Sequence, residues 1–192
     1  MKHKLITLIC TGLLAAPALA ALEPGDKAPD FRAKASLAGK EFDFSLAGAL
    51  AKGTVVVYFY PSAFTNGCNM QAHEFAQNIE KFKAAGASVI GVSLDSIERL
   101  NDFSADPDYC AGKLPVASDA SGEIARSYGL EIAAGRPGLK DSRGEEIGHD
   151  FAERTTFIVT PDGRIAETIG GISPIENVQK SLEAVQRLQA ST

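Results

Sequence analysis

The chain has 192 residues, 45% of them hydrophobic and 22% charged, with a formal charge of −5. That length suffices for one domain with a sizeable core, and the composition is ordinary for a soluble globular protein. The acidic balance argues against nucleic acid or an anionic membrane as a partner, because both ask for a basic face.

The first twenty residues differ from the rest. A short basic start, "MKHK", leads into the apolar run "LITLICTGLLAA", too short to span a bilayer, and then into "PALA", a small-x-small ending. This is the layout of a cleaved export leader, so residues 1–20 are read as a signal peptide and 21–192 as a single domain. A retained membrane anchor is the alternative, disfavoured by the short run and the lack of a stop-transfer flank. Cys10 leaves with such a leader, and loss of Lys2 and Lys4 takes the charge from −5 to −7. The mature chain is then expected in an oxidising exported compartment, the bacterial periplasm, with two cysteines, Cys68 and Cys110. Two thiols there can be a structural disulfide or a redox pair.

Residues 21–44 read as loop-rich and extended, and Ser45–Ala51 as a short helix closed by Gly53. "TVVVYFY", Thr54–Tyr60, is β-branched and aromatic without polar alternation, the mark of a strand buried on both faces. Pro61 ends it, lacking the amide a ladder needs. From Cys68 the period changes: Ala72, Phe75, Ile79 and Phe82 recur at helical steps, and Gly86 closes the helix. Ala87–Leu94 is a second buried strand and Ser96–Phe103 a helix. "SADPDYCAGKLP" follows as a loop, then a short strand at Val116–Ser118 and a short helix ending at Gly129. Residues 130–153 read as an irregular excursion. Thr155–Val159 and Ile165–Ile169 flank "TPDGR", a hairpin signal. The last helix opens on Ser173, Pro174 and Glu176, a capping box with proline at N1, and carries the stripe Ile175, Val178, Leu182, Val185. The alternation predicts an α/β thioredoxin-like three-layer fold, a mixed central sheet with helices on both faces.

Within that order Cys68 falls at the first turn of the helix that follows a buried strand. Unpaired amides and the positive end of the helix dipole gather there, and both favour a thiolate. A structural cysteine has no need of the address. Thr65 lies three residues earlier, either capping the helix or meeting the sulfur with its hydroxyl. Gly67 allows a close backbone approach or is a plain turn residue, and Pro61 is a strand stop, a shield for the thiol, or both. The fourth position counting from Cys68, where a dithiol exchanger needs its second cysteine, is Gln71, which counts against a thioredoxin-type disulfide exchanger.

Pro61-x-x-x-Thr65-x-x-Cys68 after an apolar strand resembles the active-site motif of the peroxiredoxins. "GDKAPDF" resembles that family's opening segment, and "ERTTFIVTPDGRI" its later strand pair, whose catalytic arginine matches Arg154. The likeness spans about residues 23–189, and "YFYPSAFTNGC" resembles the bacterioferritin-comigratory, or Q-type, subfamily. The resemblance implies a thiol peroxidase reducing hydrogen peroxide or organic hydroperoxides. Cys68 would attack the peroxide and become a sulfenic acid, Arg154 would polarise the peroxide, Thr65 would position it, and Pro61 would keep water away. No metal or organic cofactor is required. The implied partners are the peroxide and a thioredoxin-like reductant protein, with no nucleic acid and no membrane once the leader is removed. The implied state is monomer or homodimer.

Two departures matter. Many relatives carry glutamate where this chain has Gln71, and Q-type members often carry a second cysteine where it has His73, read here as a helix-surface histidine. Cys110, in a loop that looks mobile, is then the candidate resolving thiol, forming an intramolecular disulfide with Cys68. A bystander and a static disulfide partner are its other readings. The competing functions are an exported disulfide oxidoreductase and a non-catalytic module stapled by a structural disulfide.

Overall fold

The structure is a computed structural model that describes residues 20–191. The segment read as an export leader lies, apart from Ala20, outside the described residues. In chain order the elements are β1 (Arg32–Leu37), β2 (Lys40–Ser45), α1 (Leu46–Leu50), β3 (Thr54–Phe59), α2 (Asn66–Ala84), β4 (Ala87–Ser93) and α3 (Ile97–Ala105). There follow β5 (Val116–Ser118), α4 (Glu123–Ser127), β6 (Ile132–Ala133), β7 (Phe151–Ala152), β8 (Thr155–Val159), β9 (Ile165–Gly170) and α5 (Pro174–Ala190).

Seven strands form one sheet in the order β2-β1-β5-β4-β3-β8-β9. β3, β4 and β5 run parallel, and the remaining pairs are antiparallel. β3 lies in the sheet interior, between β4 and β8, which is why its residues read as one apolar run. Val56, Tyr58 and Tyr60 face a core shared with α2, α3 and α5, whereas Val55, Val57 and Phe59 face one shared with α1 and α4. The expected mixed sheet with helices on both faces is therefore what the chain forms.

The helices start where their caps stand. The side chains of Ser45, Ser96 and Ser173 accept the N–H of Gly48, Arg99 and Glu176 respectively. α2 buries the whole expected stripe, Ala72, Phe75, Ile79 and Phe82; each large apolar side chain removed from water contributes about 1.5–3 kcal/mol. The stripe on α5 is rotated from the expected one. Asn177, Val178, Ser181, Ala184 and Val185 are buried, while Ile175 is 37% exposed. Apolar periodicity misses this face because two of its members are polar and hydrogen-bonded inside.

The stretch read as loop-rich and extended, 21–44, and the one read as irregular, 130–153, both contain strands. β1 and β2 form a hairpin at the sheet edge, turned by Ala38 and Gly39 with φ of +52° and +75°. Both turn positions are left-handed, as a two-residue hairpin requires, but Ala-Gly is not the usual sequence for it. β2 is mostly exposed, so no buried run betrays it. Within 130–153, β6 and β7 pair in a separate two-stranded sheet.

β3 and β4 approach closely where Tyr58 pairs with Gly91. A Cβ on Gly91 would lie 2.6 Å from the Tyr58 ring and hydroxyl. Gly91→Ala is therefore expected to destabilise the protein by about 1–3 kcal/mol, the usual cost of overpacking, measured as a shifted midpoint in urea unfolding; an unchanged midpoint would mean that the two strands separate freely here.

Candidate active site

The loop from Pro61 to Thr65 joins the central strand to α2. Asp95, just beyond the end of β4, holds it in place. Its fully buried carboxylate accepts from Ala63 N–H (2.8 Å), Ser62 Oγ (3.0 Å) and Ser93 Oγ (2.7 Å). Arg99 Nε lies 2.9 Å and His149 Nε2 2.8 Å from the same group. Phe64 takes a left-handed backbone, φ +59°, a conformation that costs a non-glycine residue energy. Contacts from the 130–153 excursion hold it there. Its carbonyl accepts Ser142 N–H at 2.8 Å, and the Arg143 guanidinium stacks 3.4 Å from its ring centre.

Thr65 occupies the N-cap position of α2, with extended φ −108° and ψ 146°, but its side chain makes no capping bond. Its hydroxyl donates to the Ser62 carbonyl instead, at 2.8 Å. With its proton committed, Thr65 Oγ1 retains lone pairs that can accept. Pro61 is half-buried just beyond β3.

Cys68 is the third residue of α2 and 2% exposed. Arg154, immediately before β8, is brought to it as the sequence motif implies: Nη2 lies 3.3 Å from Sγ. Gly67 is helical rather than a turn residue. A side chain there would meet Arg154 Nη2 at 3.3 Å and Pro174 of α5 at 3.4 Å, so the glycine leaves room for the guanidinium.

The other terminal nitrogen of Arg154 donates to Gln71 Oε1. The amide of Gln71 in turn donates to Asn177 Oδ1 at 2.9 Å, which also accepts Thr156 Oγ1 at 2.7 Å, and Asn177 Nδ2 donates to Ile169 O at 3.0 Å. Gln71, Thr156 and Asn177 are essentially closed to solvent. Among the described residues no carboxylate pairs with Arg154. Sequence reasoning misses Asn177; a polar residue four positions after the Ser173 cap, on the face that packs inward, is the one signal that marks it.

Cys110 is fully buried in the turn after α3, and both cysteines are free thiols. Burial, with a smaller effect from Asp106, pushes the Cys110 thiol far up, so it is protonated where it stands. The loop read as mobile is packed. Ala111 and Gly112 donate to Asp106 O and Ser104 O at 2.8 and 3.0 Å, and Tyr109 lies edge-on to Phe64. His73 is exposed, as expected, yet it is not idle. Its Nδ1 meets Asp108 O at 2.8 Å and so ties α2 to the Cys110 turn.

Sequence reasoning also misses His149, because nothing local marks it; Asp95 lies 54 residues away along the chain. Burial disfavours the His149 cation, but the hydrogen bond and charge of Asp95 outweigh it, and its pKa is raised from 6.5. Burial likewise opposes the Asp95 anion, but His149 and its other donors win, and its pKa is lowered from 3.8. The His149 contribution to stability is complete below its unfolded pKa and is lost as pH rises through the folded one; that of Asp95 is complete above its unfolded pKa and is lost as pH falls. The melting-temperature gap between the protein and its His149→Gln variant should thus be widest between about pH 4 and 6.5 and narrow above that window. A gap that widens from about pH 6.5 to 9 would contradict the pairing.

Residues 24–168 match the AhpC/TSA family. A peroxiredoxin of Mycobacterium tuberculosis strain H37Rv is 35% identical over 144 residues, covering 75% of this chain and 82% of the relative. The peroxiredoxin bcp of Helicobacter pylori strain J99 is 30% identical over 167 residues, covering 85% and 98%. The crystal structure of the peroxidoxin BcpB from M. tuberculosis superposes with a TM-score of 0.71 at 25% identity over 87% of this chain and 98% of that one. Peroxiredoxin Q of Xanthomonas campestris gives 0.64 at 25% identity over 81% and 90%. The chain belongs to the AhpC/TSA family of peroxiredoxins and is a thiol-dependent peroxidase of thioredoxin-like fold.

Proposed function

We propose that Cys68 is the sulfur that meets the peroxide. The observation that carries this reading is the Arg154 Nη2 contact, 3.3 Å from Sγ, at the first turn of a helix. The Cys68 thiolate attacks one oxygen of the hydroperoxide. An S–O bond forms, the O–O bond breaks, and the departing oxygen takes up a proton and leaves as water or alcohol. Arg154 stabilises the negative charge that moves onto that oxygen. The free lone pairs of Thr65 Oγ1 accept the peroxide O–H, because its own proton is already given to Ser62 O. Pro61 closes one side of the sulfur against water. The step uses no metal or organic cofactor.

Cys110 resolves the sulfenic acid. Once released it gives up its proton, the thiolate attacks the oxidised sulfur, the S–O bond breaks, the departing oxygen takes up a proton and leaves as water, and an intramolecular disulfide remains. Burial keeps the thiol protonated until its turn opens. A thioredoxin-like dithiol then reduces the disulfide. The leader pattern of residues 1–20 supports an exported, periplasmic enzyme with a local reductant, working as monomer or homodimer.

Stopped-flow mixing of reduced protein with hydrogen peroxide tests the first step. Cys68→Ser should abolish peroxide consumption, and Arg154→Leu should slow it by about 10²-fold, as loss of one charge-stabilising donor does elsewhere. A Cys68 thiol consumed no faster than free cysteine would sink the assignment.

Mass spectrometry after one equivalent of peroxide addresses the second step. A Cys68–Cys110 bond within one chain is expected. A persistent sulfenic acid, or a disulfide between chains, would overturn it.

A further inference from the structure

A guanidinium only donates hydrogen bonds, and a backbone carbonyl only accepts them. Between the Arg154 guanidinium and the carbonyl of Ile169, on β9, stand two side-chain amides, Gln71 of α2 and Asn177 of α5. Each amide has one accepting and one donating end, and only one arrangement of the pair leaves no like ends facing. Arg154 Nη1 donates to Gln71 Oε1, Gln71 Nε2 donates to Asn177 Oδ1 at 2.9 Å, and Asn177 Nδ2 donates to Ile169 O at 3.0 Å. Thr156 Oγ1 donates to the same Asn177 oxygen at 2.7 Å and reinforces the choice. Reversing Gln71 would set its NH2 against the cation. Reversing Asn177 would set its oxygen against the Ile169 carbonyl.

Gln71, Thr156 and Asn177 are 0%, 0% and 1% exposed, so bulk water does not stand in for a lost bond. A buried N–H left without an acceptor carries the penalty of its lost hydration. Without Asn177 Oδ1 that penalty falls on the Gln71 NH2, and the amide relieves it by turning away from Arg154. The guanidinium is rigid and planar, so a terminal nitrogen freed from Gln71 also frees the other one, which lies 3.3 Å from Cys68 Sγ.

We propose that Asn177 is a positioning residue for the peroxide step: its side-chain oxygen holds the Gln71 amide oxygen on Arg154 and so passes the orientation of the β9 main chain to the guanidinium beside Cys68. The proposal rests on Cys68 and Arg154 being the reacting sulfur and its cation. Asn177 acts only through Gln71, and no bond of the reaction changes.

Stopped-flow loss of the Cys68 thiol to hydrogen peroxide reads the effect. Asn177→Leu should slow it by about tenfold, the factor that one buried hydrogen bond is worth. The same substitution in a Gln71→Glu background should cause no slowing, because a carboxylate accepts through either oxygen and has no N–H for Asn177 to hold. Ser181→Ala separates this from a general loosening of α5. The Ser181 hydroxyl donates to the Asn177 backbone carbonyl at 2.7 Å and stands outside the line of amides, so its loss should leave the rate close to that of the unaltered protein. If Asn177→Leu does not fold, Asn177→Ala takes its place with the same expected outcomes. An unchanged rate in the Asn177 variant, equal slowing in both backgrounds, or equal slowing by Ser181→Ala overturns the proposal. An unchanged rate in Arg154→Leu has a different signature: it overturns the reading of Arg154, and the role of Asn177 with it.

Discussion

The Arg154 guanidinium is fixed at both ends, by the Cys68 sulfur and by the Gln71 amide, and it has no carboxylate partner among the described residues. A glutamate at position 71 would orient the arginine equally well, but it would place a negative charge against it. A neutral amide orients without cancelling, so the full positive charge faces the sulfur in a nearly closed site where screening by water is weak. The arrangement requires that Gln71 itself be held, since an unpaired buried amide would be costly. Asn177 supplies that partner, and Thr156 and Ile169 O satisfy Asn177 in turn. Residues from α2, α5, β8 and β9 thus converge on one guanidinium.

The second constraint is the corner that delivers Cys68. A left-handed Phe64 turns the chain sharply between the central strand and α2, and such a residue persists only where its surroundings over-determine it. Asp95 anchors the corner from below, and the 130–153 excursion clamps it from above through Ser142, Arg143 and His149. Ser62, His149 and Asp95 lie together, but they do not make a nucleophilic triad. Ser62 Oγ lies 3.3 Å from His149 Nε2, but that same nitrogen meets Asp95 at 2.8 Å and Nδ1 meets the Asp150 carbonyl, so the imidazole does not stand between the serine and the carboxylate. The cluster is an anchor, and the irregular appearance of the excursion in sequence conceals its part in shaping the site.

What is legible in the sequence and what is hidden divide along the range of the contacts. Cys68 is legible because strand end, proline and helix start are neighbours in the chain. The central strands, α2 and the capped α5 are legible because their periods and caps are local signals. Arg154 is reached through family resemblance alone, and no local feature distinguishes it from a surface ion-pair partner. Asn177 and His149 stay hidden: their partners lie 106 and 54 residues away, and a buried polar residue has no periodicity of its own. The β1–β2 hairpin escapes for the opposite reason. Its outer strand is too exposed to leave an apolar pattern.

The two sulfurs share one apolar cluster but stand in opposed settings. Cys68 has a helix start and an arginine beside it, whereas Cys110 lies in the apolar cluster with Asp106 as its main charged influence. A thiol kept neutral in this way cannot attack where it stands, because the nucleophile is the thiolate. Burial does not separate the two sulfurs, which are 2% and 0% exposed, so on the proposed reading it is the arginine beside Cys68 that places the sulfenic acid there. On the proposed reading, order follows from the setting of each thiol: the first oxidation belongs to the sulfur beside the cation, and the second thiol enters only when its packing opens. If Cys110 is the resolving thiol, as proposed, the strength of that packing decides how long the sulfenic acid survives, and with it the exposure of Cys68 to further oxidation, since a sulfenic acid that waits can meet a second peroxide.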